Sequence, residues 1–247
     1  ISHTSALINT TYDDRFPSIQ YGEKNGSDSI YIAVERRLSS TEYGLRLLAT
    51  PEMPAVNYFS YYLSAPSPGV RYEKPELTVV QQYFSIPRKM LITCTRDRNP
   101  RYFYTNNGCA SWSIDQLLGP NSNCVADYTT CSSDSLTSGG QNVIMGYVSD
   151  DGDSVNVKQL GIPPGTIYAY YKKNSGTSTG LVAPSTSIYK SGSTKYAAFA
   201  YAGPGPYNVY YNSEQLVTGI QPVSGIAEKY ELSQNYPNPF NPVTIIR

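Results

Sequence analysis

The sequence predicts an all-β fold, and three observations lead to that prediction. Tyrosine is abundant, with 24 Tyr among 247 residues, and Tyr, Val, Ile and Thr favour the pleated surface of strands. Short apolar runs alternate with Gly, Pro, Asn and Ser turn signals. The same three-strand cadence recurs four times along the chain. Repeats of this length are typical of β-propeller blades, so we predict a β-propeller of four-stranded antiparallel blades.

The first strand of each repeat is marked by an aliphatic residue soon after Pro, Ser or Thr. These residues lie 58, 59 and 52 positions apart and are Ile19, Leu77, Leu136 and Ile188. Second strands are predicted at 30–34, 90–94, 143–147 and 196–200, and third strands at 44–48, 111–115, 154–158 and 207–211. Candidate fourth strands are 55–63, 125–130 and 166–172, and residues 6–11 resemble such a strand without its own repeat.

These repeats divide the chain into predicted blades at 12–54, 70–118, 125–160 and 166–216, followed by a linker at 217–229. The second strands are apolar on both faces, which fits sheets that are covered by neighbours on either side. A pair of β-sandwiches is the alternative fold. The preferred interpretation is a fragment of a larger propeller with further blades, and a closed four-bladed ring is the alternative.

The segment Thr105-Asn-Asn-Gly-Cys-Ala-Ser-Trp112 carries a turn motif. It resembles the Asp-box turn of sialidase-like propellers, with Thr105, Asn107, Ser111 and Trp112 matching in type and Cys109 in place of a glycine. In such a turn the short polar side chain caps backbone amides and the aromatic residue packs between strands. The resemblance supports the fold and implies nothing about catalysis.

A weaker copy of this turn at 149–155 contains three candidate ligands for a hard cation such as Ca²⁺, namely Asp150, Asp151 and Asp153. The calcium-loop spacing and its closing Glu are absent, so a solvated hairpin tip is the preferred interpretation. No cofactor is expected.

The four cysteines form no Cys-x-x-Cys pair, and His3 is the single histidine, so a zinc site is not expected. Two short disulfides, Cys94–Cys109 and Cys124–Cys131, would fit an oxidising compartment. Four separate buried thiols are the alternative, and spacing alone does not fix the pairing.

The chain ends in a run of Asn-Pro and Tyr-Pro steps that force an extended path without helix. This run closely resembles the opening of the sorting domain of type IX secretion substrates, in a truncated form at 230–247. Its central motif is Gln234, Asn235, Tyr236, Pro237, Asn238, Pro239, Phe240, Asn241 and Pro242. The resemblance implies the type IX secretion machinery as a partner and a location outside the cell or on the outer-membrane surface.

Net charge is zero, so nothing in the composition suggests the basic face that nucleic acids or anionic membranes require. No apolar run has the roughly 20 residues that span a bilayer. Candidate binding residues are the loop tyrosines Tyr12, Tyr43 and Tyr207, and Arg15 in the charged start of the first repeat.

No hydrolase elbow, metalloprotease helix or phosphate loop is present in the sequence. We therefore expect a secreted or cell-surface binding or structural module for a glycan, a surface polymer or a protein, and enzyme activity is the less expected outcome. One alternative is a sialidase-like glycoside hydrolase, although Arg96, Arg98 and Arg101 crowd one hairpin where a catalytic triad draws arginines from different blades. The other is a self-associating subunit of an extracellular filament or sheath.

Overall fold

A computed structural model of the protein describes residues 12–24, 27–51, 59–80, 89–118, 124–133, 142–149, 155–161, 166–172, 182–202 and 209–216. The chain divides into two units, 1–216 and 217–247, and the described residues all belong to the first. Within them every regular element is a strand. No helix among them has the length and apolarity that crossing a bilayer requires.

The first two sheets are four-stranded antiparallel meanders in which each strand pairs with the next along the chain. Sheet 1 contains β1 (Asp13–Lys24), β2 (Ser27–Arg37), β3 (Tyr43–Pro51) and β4 (Phe59–Ser64). Sheet 2 contains β5 (Tyr72–Val80), β6 (Lys89–Arg96), β7 (Asn99–Thr105) and the short β8 (Gln116–Leu117).

The other two sheets repeat this order. Sheet 3 contains β9 (Cys124–Ser133), β10 (Asn142–Ser149), β11 (Val155–Gly161) and β12 (Thr166–Lys172). Sheet 4 has three described strands, β13 (Val182–Ser191), β14 (Thr194–Ala202) and β15 (Val209–Gln215).

The first strands of the four sheets contact one another in succession, β1 to β5, β5 to β9 and β9 to β13. We call them the inner strands. Sheets that present their first strands to a common centre and stack face to face form a β-propeller, which confirms the predicted fold class. The face that a sheet turns to the preceding sheet is its front face, and the opposite one is its back face.

Apolar side chains fill the spaces between successive sheets. The cluster between sheets 1 and 2 includes Tyr31, Ala33, Leu47, Ala49, Leu77, Val79, Met90 and Ile92. The cluster between sheets 2 and 3 includes Val80, Leu91, Tyr102, Leu118, Val143, Met145 and Tyr147. The cluster between sheets 3 and 4 includes Ile144, Val148, Val155, Val157, Ala197, Phe199, Tyr201 and Leu216. Within the described part of the chain, these three clusters form the core between neighbouring sheets.

Three inner strands carry a β-bulge that contains a proline. The ladder shifts between Arg15 and Ser18 in β1, between Glu73 and Glu76 in β5, and between Val182 and Ser185 in β13. Pro17, Pro75 and Pro184 lie within these bulges. Phe16 and Lys74, which precede the first two prolines, both have φ of 49°. The prolines near the start of these three repeats therefore mark β-bulges in the inner strands.

The strand predictions succeed in part. Each predicted second strand lies within β2, β6, β10 or β14, and the segment 166–172 is the fourth strand of sheet 3. The predicted third strand at 111–115 is wrong, because β7 at Asn99–Thr105 fills that place and 111–115 leads into β8. The segment 125–130, predicted as a fourth strand, instead lies in β9 at Cys124–Ser133, the inner strand of sheet 3. The predicted anchor Leu136 lies outside the described residues.

The predicted disulfides are not formed. Cys94, Cys109 and Cys131 are buried thiols, and the side chain of Cys124 lies outside the described residues. Cys109 donates its thiol hydrogen to Met90 Sδ over 3.9 Å, and Cys131 donates to the Glu76 carbonyl over 3.2 Å. These thiols therefore pack as small core residues between sheets, and burial raises the pKa of both Cys94 and Cys131.

Candidate functional site

Charged and aromatic residues concentrate at one edge of sheets 1 and 2, where β1 and β5 begin and β2 and β6 end. We call it the upper edge; it comprises residues 12–16, 35–37, 43–46, 60–62, 71–76 and 96–98, with the facing part of β9 at 128–131. Two contacts join β5 to sheet 1 and show that β5 runs in the same direction as β1. Leu77 N donates to Ser18 Oγ on β1 over 2.9 Å, and Lys74 N donates over 3.1 Å to Oε2 of Glu35 on β2, which lies opposite Arg15 of β1.

The arginine network of sheet 1 is centred on Arg36. Asp14 lies directly opposite Arg36 in the β1–β2 register. The guanidinium donates from Nε to Asp14 Oδ1 over 2.7 Å and from Nη2 to Asp14 Oδ2 over 2.6 Å. Its Nη1 donates to the Tyr62 hydroxyl over 2.7 Å. Two parallel bonds to one carboxylate form the strongest geometry available to this pair.

Arg46 and Tyr12 complete this network. Arg46 Nη1 lies 3.6 Å from Asp14 Oδ2, and its Nε donates to Ser60 Oγ over 2.7 Å. The Arg36 guanidinium lies 4.4 Å from the centre of the Tyr12 ring. Burial alone would lower the pKa of Arg36, but the hydrogen bonds to Asp14 and Tyr62 outweigh it and raise that pKa above its usual value.

A second group lies on the back face of the same sheet. Glu35 is fully buried and accepts from Arg37 Nε and from the Lys74 backbone. The Arg37 guanidinium lies 4.2 Å from the centre of the Tyr43 ring. A backbone amide on β5 is thereby tied to a carboxylate on β2, which couples the two sheets at the upper edge.

Sheet 2 has its own arginine at the matching corner. Tyr72 lies opposite Arg96 in the β5–β6 register, as Asp14 does opposite Arg36. Asp115, from the segment after β7, accepts from the Tyr72 hydroxyl over 2.9 Å and from Arg96 Nη1 over 3.0 Å. Burial, and then the hydrogen bond to Asp115, raise the pKa of Tyr72 to about 12.

Five arginines of the upper edge thus have a carboxylate partner from this chain. The pairs are Arg15–Asp13, Arg36–Asp14, Arg46–Asp14, Arg37–Glu35 and Arg96–Asp115. A ligand carboxylate would have to compete with an existing ion pair at each of these arginines.

Two aromatic residues and one lysine from three inner strands lie together toward the centre. We call them the axial cluster, which consists of Phe16 on β1, Lys74 on β5 and Tyr128 on β9. Both rings are exposed. The Lys74 ammonium lies 4.0 Å from the centre of the Tyr128 ring and 5.7 Å from that of Phe16. Phe16 and Lys74 are the positive-φ residues of the two bulges, so a strained backbone displays two of the three members.

Glu76 follows this cluster on β5 at the meeting point of three inner strands. Its Oε1 accepts from Thr130 Oγ1 over 3.4 Å, and Thr130 lies 3.1 Å from Thr186 Oγ1 on β13. Burial raises the pKa of Glu76 to about 7, against the lowering effect of hydrogen bonds from Thr130 and the Cys131 backbone.

Three of the binding residues predicted from sequence lie at this edge. Tyr12 is exposed beside Arg36, and Arg15 is exposed and paired with Asp13 over 2.7 Å. Tyr43 is buried, so its ring packs under Arg37 and is not part of the surface. The other predicted residues lie outside the described part of the chain: Tyr207, Asp150, Asp151, Asp153 and the sorting motif at 234–242. Within the described part, no three His, Cys, Asp or Glu side chains are grouped to hold a metal.

Sequence reasoning missed the axial cluster. Phe16 and Lys74 read as ordinary strand-start residues, and Tyr128 as a strand tyrosine. The available signal was a proline directly after each of these two residues, Pro17 after Phe16 and Pro75 after Lys74, with a spacing of 58 residues. A proline in a strand marks an edge or a bulge, where side chains are redirected.

The turn at 105–112 has the internal bonds expected of a capped turn. Asn107 Oδ1 accepts from the Thr105 hydroxyl over 2.9 Å and from the Ser111 backbone over 3.0 Å. Cys109 occupies a left-handed conformation with φ of 72°. Trp112 packs against the core clusters of sheets 1 and 2. The turn lies between the third and fourth strands of sheet 2.

Comparisons with known proteins return solved structures alone, since no family model and no curated protein matches the chain. The NanB sialidase of Streptococcus pneumoniae is 13% identical with a TM-score of 0.48, covering 75% of this chain and 28% of that one. The GH43_1 enzyme of Xanthomonas citri, complexed with xylotriose, is 10% identical with a TM-score of 0.36, covering 84% and 75%. The neuraminidase-like protein of a flat-faced bat influenza virus is 12% identical with a TM-score of 0.39, covering 75% and 56%.

Proposed function

We propose that the protein is a secreted or cell-surface β-propeller that binds a glycan at the upper edge. The observation that carries the proposal is the axial cluster, in which two exposed rings and an ammonium group converge from three neighbouring inner strands. Rigid aromatic residues on a fixed scaffold are frequent anchors for a ligand because they bury area at little cost in side-chain entropy.

The chemistry of the cluster suits a sugar. The C–H face of a pyranose ring is apolar and packs against an aromatic ring. Its hydroxyl groups accept hydrogen bonds from an ammonium group such as that of Lys74. Because Pro17 and Pro75 restrict the backbone at Phe16 and Lys74, these two side chains are positioned before the ligand arrives, which lowers the entropic cost of binding.

The ion pairs of the upper edge favour a binding module over a sialidase-like hydrolase. Such an enzyme holds the substrate carboxylate with unoccupied arginines, whereas Arg36 and Arg96 already bind Asp14 and Asp115. Neutral sugars are therefore the preferred ligand class.

A glycan array tests the proposal. We expect the full chain to bind a subset of neutral oligosaccharides, and Phe16→Ala and Tyr128→Ala each to weaken binding at least tenfold. Tyr189→Ala is the matched control, since Tyr189 is an exposed inner-strand tyrosine at the other end of β13. Retained binding by both variants, or equal loss in the control, would contradict the assignment.

Glycoside hydrolysis is the second candidate, and one observation favours it. Glu76 has a pKa of about 7, which is the protonation behaviour that a general acid requires. Turnover of a panel of fluorogenic glycosides, abolished in Glu76→Gln while array binding persists, would support this activity. Absence of turnover in the folded wild-type chain would exclude it for those substrates.

We also propose export by type IX secretion, supported by the motif Gln-Asn-Tyr-Pro-Asn-Pro-Phe-Asn-Pro at 234–242. In a host that has this machinery we expect the chain outside the cell. Equal export from a strain without the machinery would refute the route.

A further inference from the structure

We infer that the contact between the inner strands of sheets 2 and 3 is a proton-operated joint, which is closed while the Glu76 carboxyl is protonated and opens locally when that carboxyl ionises.

Each contact between successive inner strands is a joint in this sense, and two of the joints are made by a hydroxyl group. At the joint of sheets 1 and 2, Ser18 Oγ accepts from the Leu77 amide over 2.9 Å. At the joint of sheets 3 and 4, Thr130 Oγ1 accepts from the Thr186 amide over 3.2 Å. In both, a short side chain on one inner strand caps a backbone amide on the next, and the link carries no ionisable group.

The joint of sheets 2 and 3 is made by a carboxyl group at the equivalent position. Glu76 is the first paired residue after the bulge in β5, as Ser18 is in β1. Its carboxyl group accepts from the Cys131 amide on β9. Cys131 directly follows Thr130, just as Leu77 directly follows Glu76, so the donating amide has the same place in each strand. A group that gains and loses a proton therefore replaces the hydroxyl at this joint.

The hydrogen bonds around Glu76 suit its neutral form. Glu76 Oε1 accepts from Thr130 Oγ1 over 3.4 Å. The single hydrogen of that hydroxyl has a second acceptor in Thr186 Oγ1, 3.1 Å away. The residue opposite Glu76 on β6 is Thr93, which is fully buried and uncharged. A charged carboxylate would thus have one amide and one shared hydroxyl as its identified donors.

Charged and titratable groups do lie on the strands around Glu76. On β5 and β9 they are Glu73, Lys74, Tyr128 and the Cys131 thiol, and on β6 they are Lys89 and Arg96, opposite Val80 and Tyr72. On the sheet 1 side they are Arg15 and Glu35, which lie opposite each other.

These groups do not offset the burial of Glu76. The Lys74 ammonium lies over the Tyr128 ring at 4.0 Å, and Arg96 binds Asp115. Burial raises the pKa of Glu76 to about 7, against the lowering effect of the hydrogen bonds from Thr130 and the Cys131 backbone. An ionised Glu76 consequently gains most from water, and separation of β5 from β9 admits that water.

The axial cluster spans this joint, since Lys74 lies on β5 and Tyr128 on β9. Each lies two residues before a member of the joint, Glu76 or Thr130. Opening of the joint therefore separates two members of the cluster.

The test uses two buried thiols of the full chain as reporters. Cys131 lies in the joint of sheets 2 and 3, where its thiol donates to the Glu76 carbonyl over 3.2 Å. Cys109 lies between sheets 1 and 2, whose joint is made by Ser18. Both thiols are alkylated with iodoacetamide in the folded protein between about pH 5 and 9, and mass spectrometry of the peptides gives each rate. Division by the rate in the urea-unfolded chain at the same pH removes the intrinsic reactivity of the thiol.

We expect the corrected rate at Cys131 to rise about tenfold from pH 6 to 8 and then to level off, because opening returns the pKa of Glu76 from about 7 to its ordinary value. Opening between sheets 1 and 2 does not release Glu76, so the corrected rate at Cys109 should stay constant. Glu76→Gln and Glu76→Thr should each abolish the rise, the second by supplying the hydroxyl link of the other joints. Glu42→Gln, between β2 and β3, is the control and should keep the rise.

Equal rises at Cys131 and Cys109 would show that the whole chain opens and would overturn the inference. A constant corrected rate at Cys131 would do the same, as would a rise that persists in Glu76→Gln while circular dichroism shows it folded. The comparison of the two thiols is made in the wild type, so it decides the question even where a variant does not fold.

Discussion

Sheets 1 and 2 each have an arginine at the equivalent corner, and the two arginines differ in burial and in the origin of their carboxylate partner. Arg96 is the last residue of β6 and Arg36 the last but one of β2, and each faces the start of the inner strand. In sheet 1 the residue opposite is Asp14, and the Arg36 side chain is only 3% exposed. In sheet 2 the residue opposite is Tyr72, the carboxylate comes from Asp115, and the Arg96 side chain is 39% exposed.

The comparison teaches that burial determines how completely a charge must be matched. A buried guanidinium without its carboxylate is strongly unfavourable, whereas an exposed one is stabilised by water. The inner strand of sheet 2 adds a third case in Glu76, a largely buried carboxyl whose identified hydrogen-bond partners are Thr130 and the Cys131 backbone. The three sites should respond very differently to loss of charge.

The largest effect is expected at Asp14. Asp14→Asn removes the charge that balances buried Arg36 and Arg46, so the free energy of unfolding should fall by about 3 to 5 kcal/mol. Chemical denaturation measures this loss. Asp13→Asn is the matched control, because Asp13 is exposed beside Arg15 and its loss should leave the midpoint unchanged. Similar values for the two variants would show that burial does not separate them.

A smaller, pH-dependent effect is expected at Glu76. Its pKa rises from 4.5 to about 7 on folding, so the protonated form is favoured in the native state. The resulting stability is fully present below pH 4.5 and is lost as the pH rises through 7, by about 3 kcal/mol.

Glu76→Gln should remove that part of the pH dependence. The variant should gain stability relative to the wild type between about pH 5 and 8, and denaturation across this range measures the difference. A constant difference between Glu76→Gln and wild type at all pH values would refute the assigned pKa.

The smallest effect is expected at Asp115. Asp115→Asn should lower the free energy of unfolding by about 1 kcal/mol or less, because Arg96 is partly in water. The pKa of Tyr72 should fall from about 12 yet stay above 10, since burial is the main cause of the shift. A ring-labelled tyrosine titration followed by NMR measures it, and an unchanged pKa would argue against the Tyr72–Asp115 bond.

Strands such as β6 and β10 could be predicted from the sequence. They are buried on both faces, and such burial requires a continuous apolar run that is easily recognised. The prediction failed at β7 for a specific reason. The β6–β7 hairpin turns through Asp97 and Arg98, both with positive φ. Such turns are usually marked by Gly or Asn, and without that mark the sequence pattern predicts the third strand of this sheet too far along the chain.

The candidate site was harder to predict because it is assembled from distant segments. Asp14, Arg36 and Tyr62 come from three different strands, and only the register brings them together. Tyr128 meets Lys74 across two sheets. Composition indicated that tyrosines and arginines were available, but not which of them the ion pairs already engage.

The proline bulges have a consequence for solubility during folding. Each inner strand is an edge strand whose free side faces the centre, and such an edge is a template for pairing with foreign strands. Pro17, Pro75 and Pro184 have no amide hydrogen to donate, and the bulges interrupt the regular row of acceptors. Until neighbouring sheets have docked, these three strands are therefore poor seeds for intermolecular β-aggregation, and β9, which lacks a proline, is the most vulnerable inner edge.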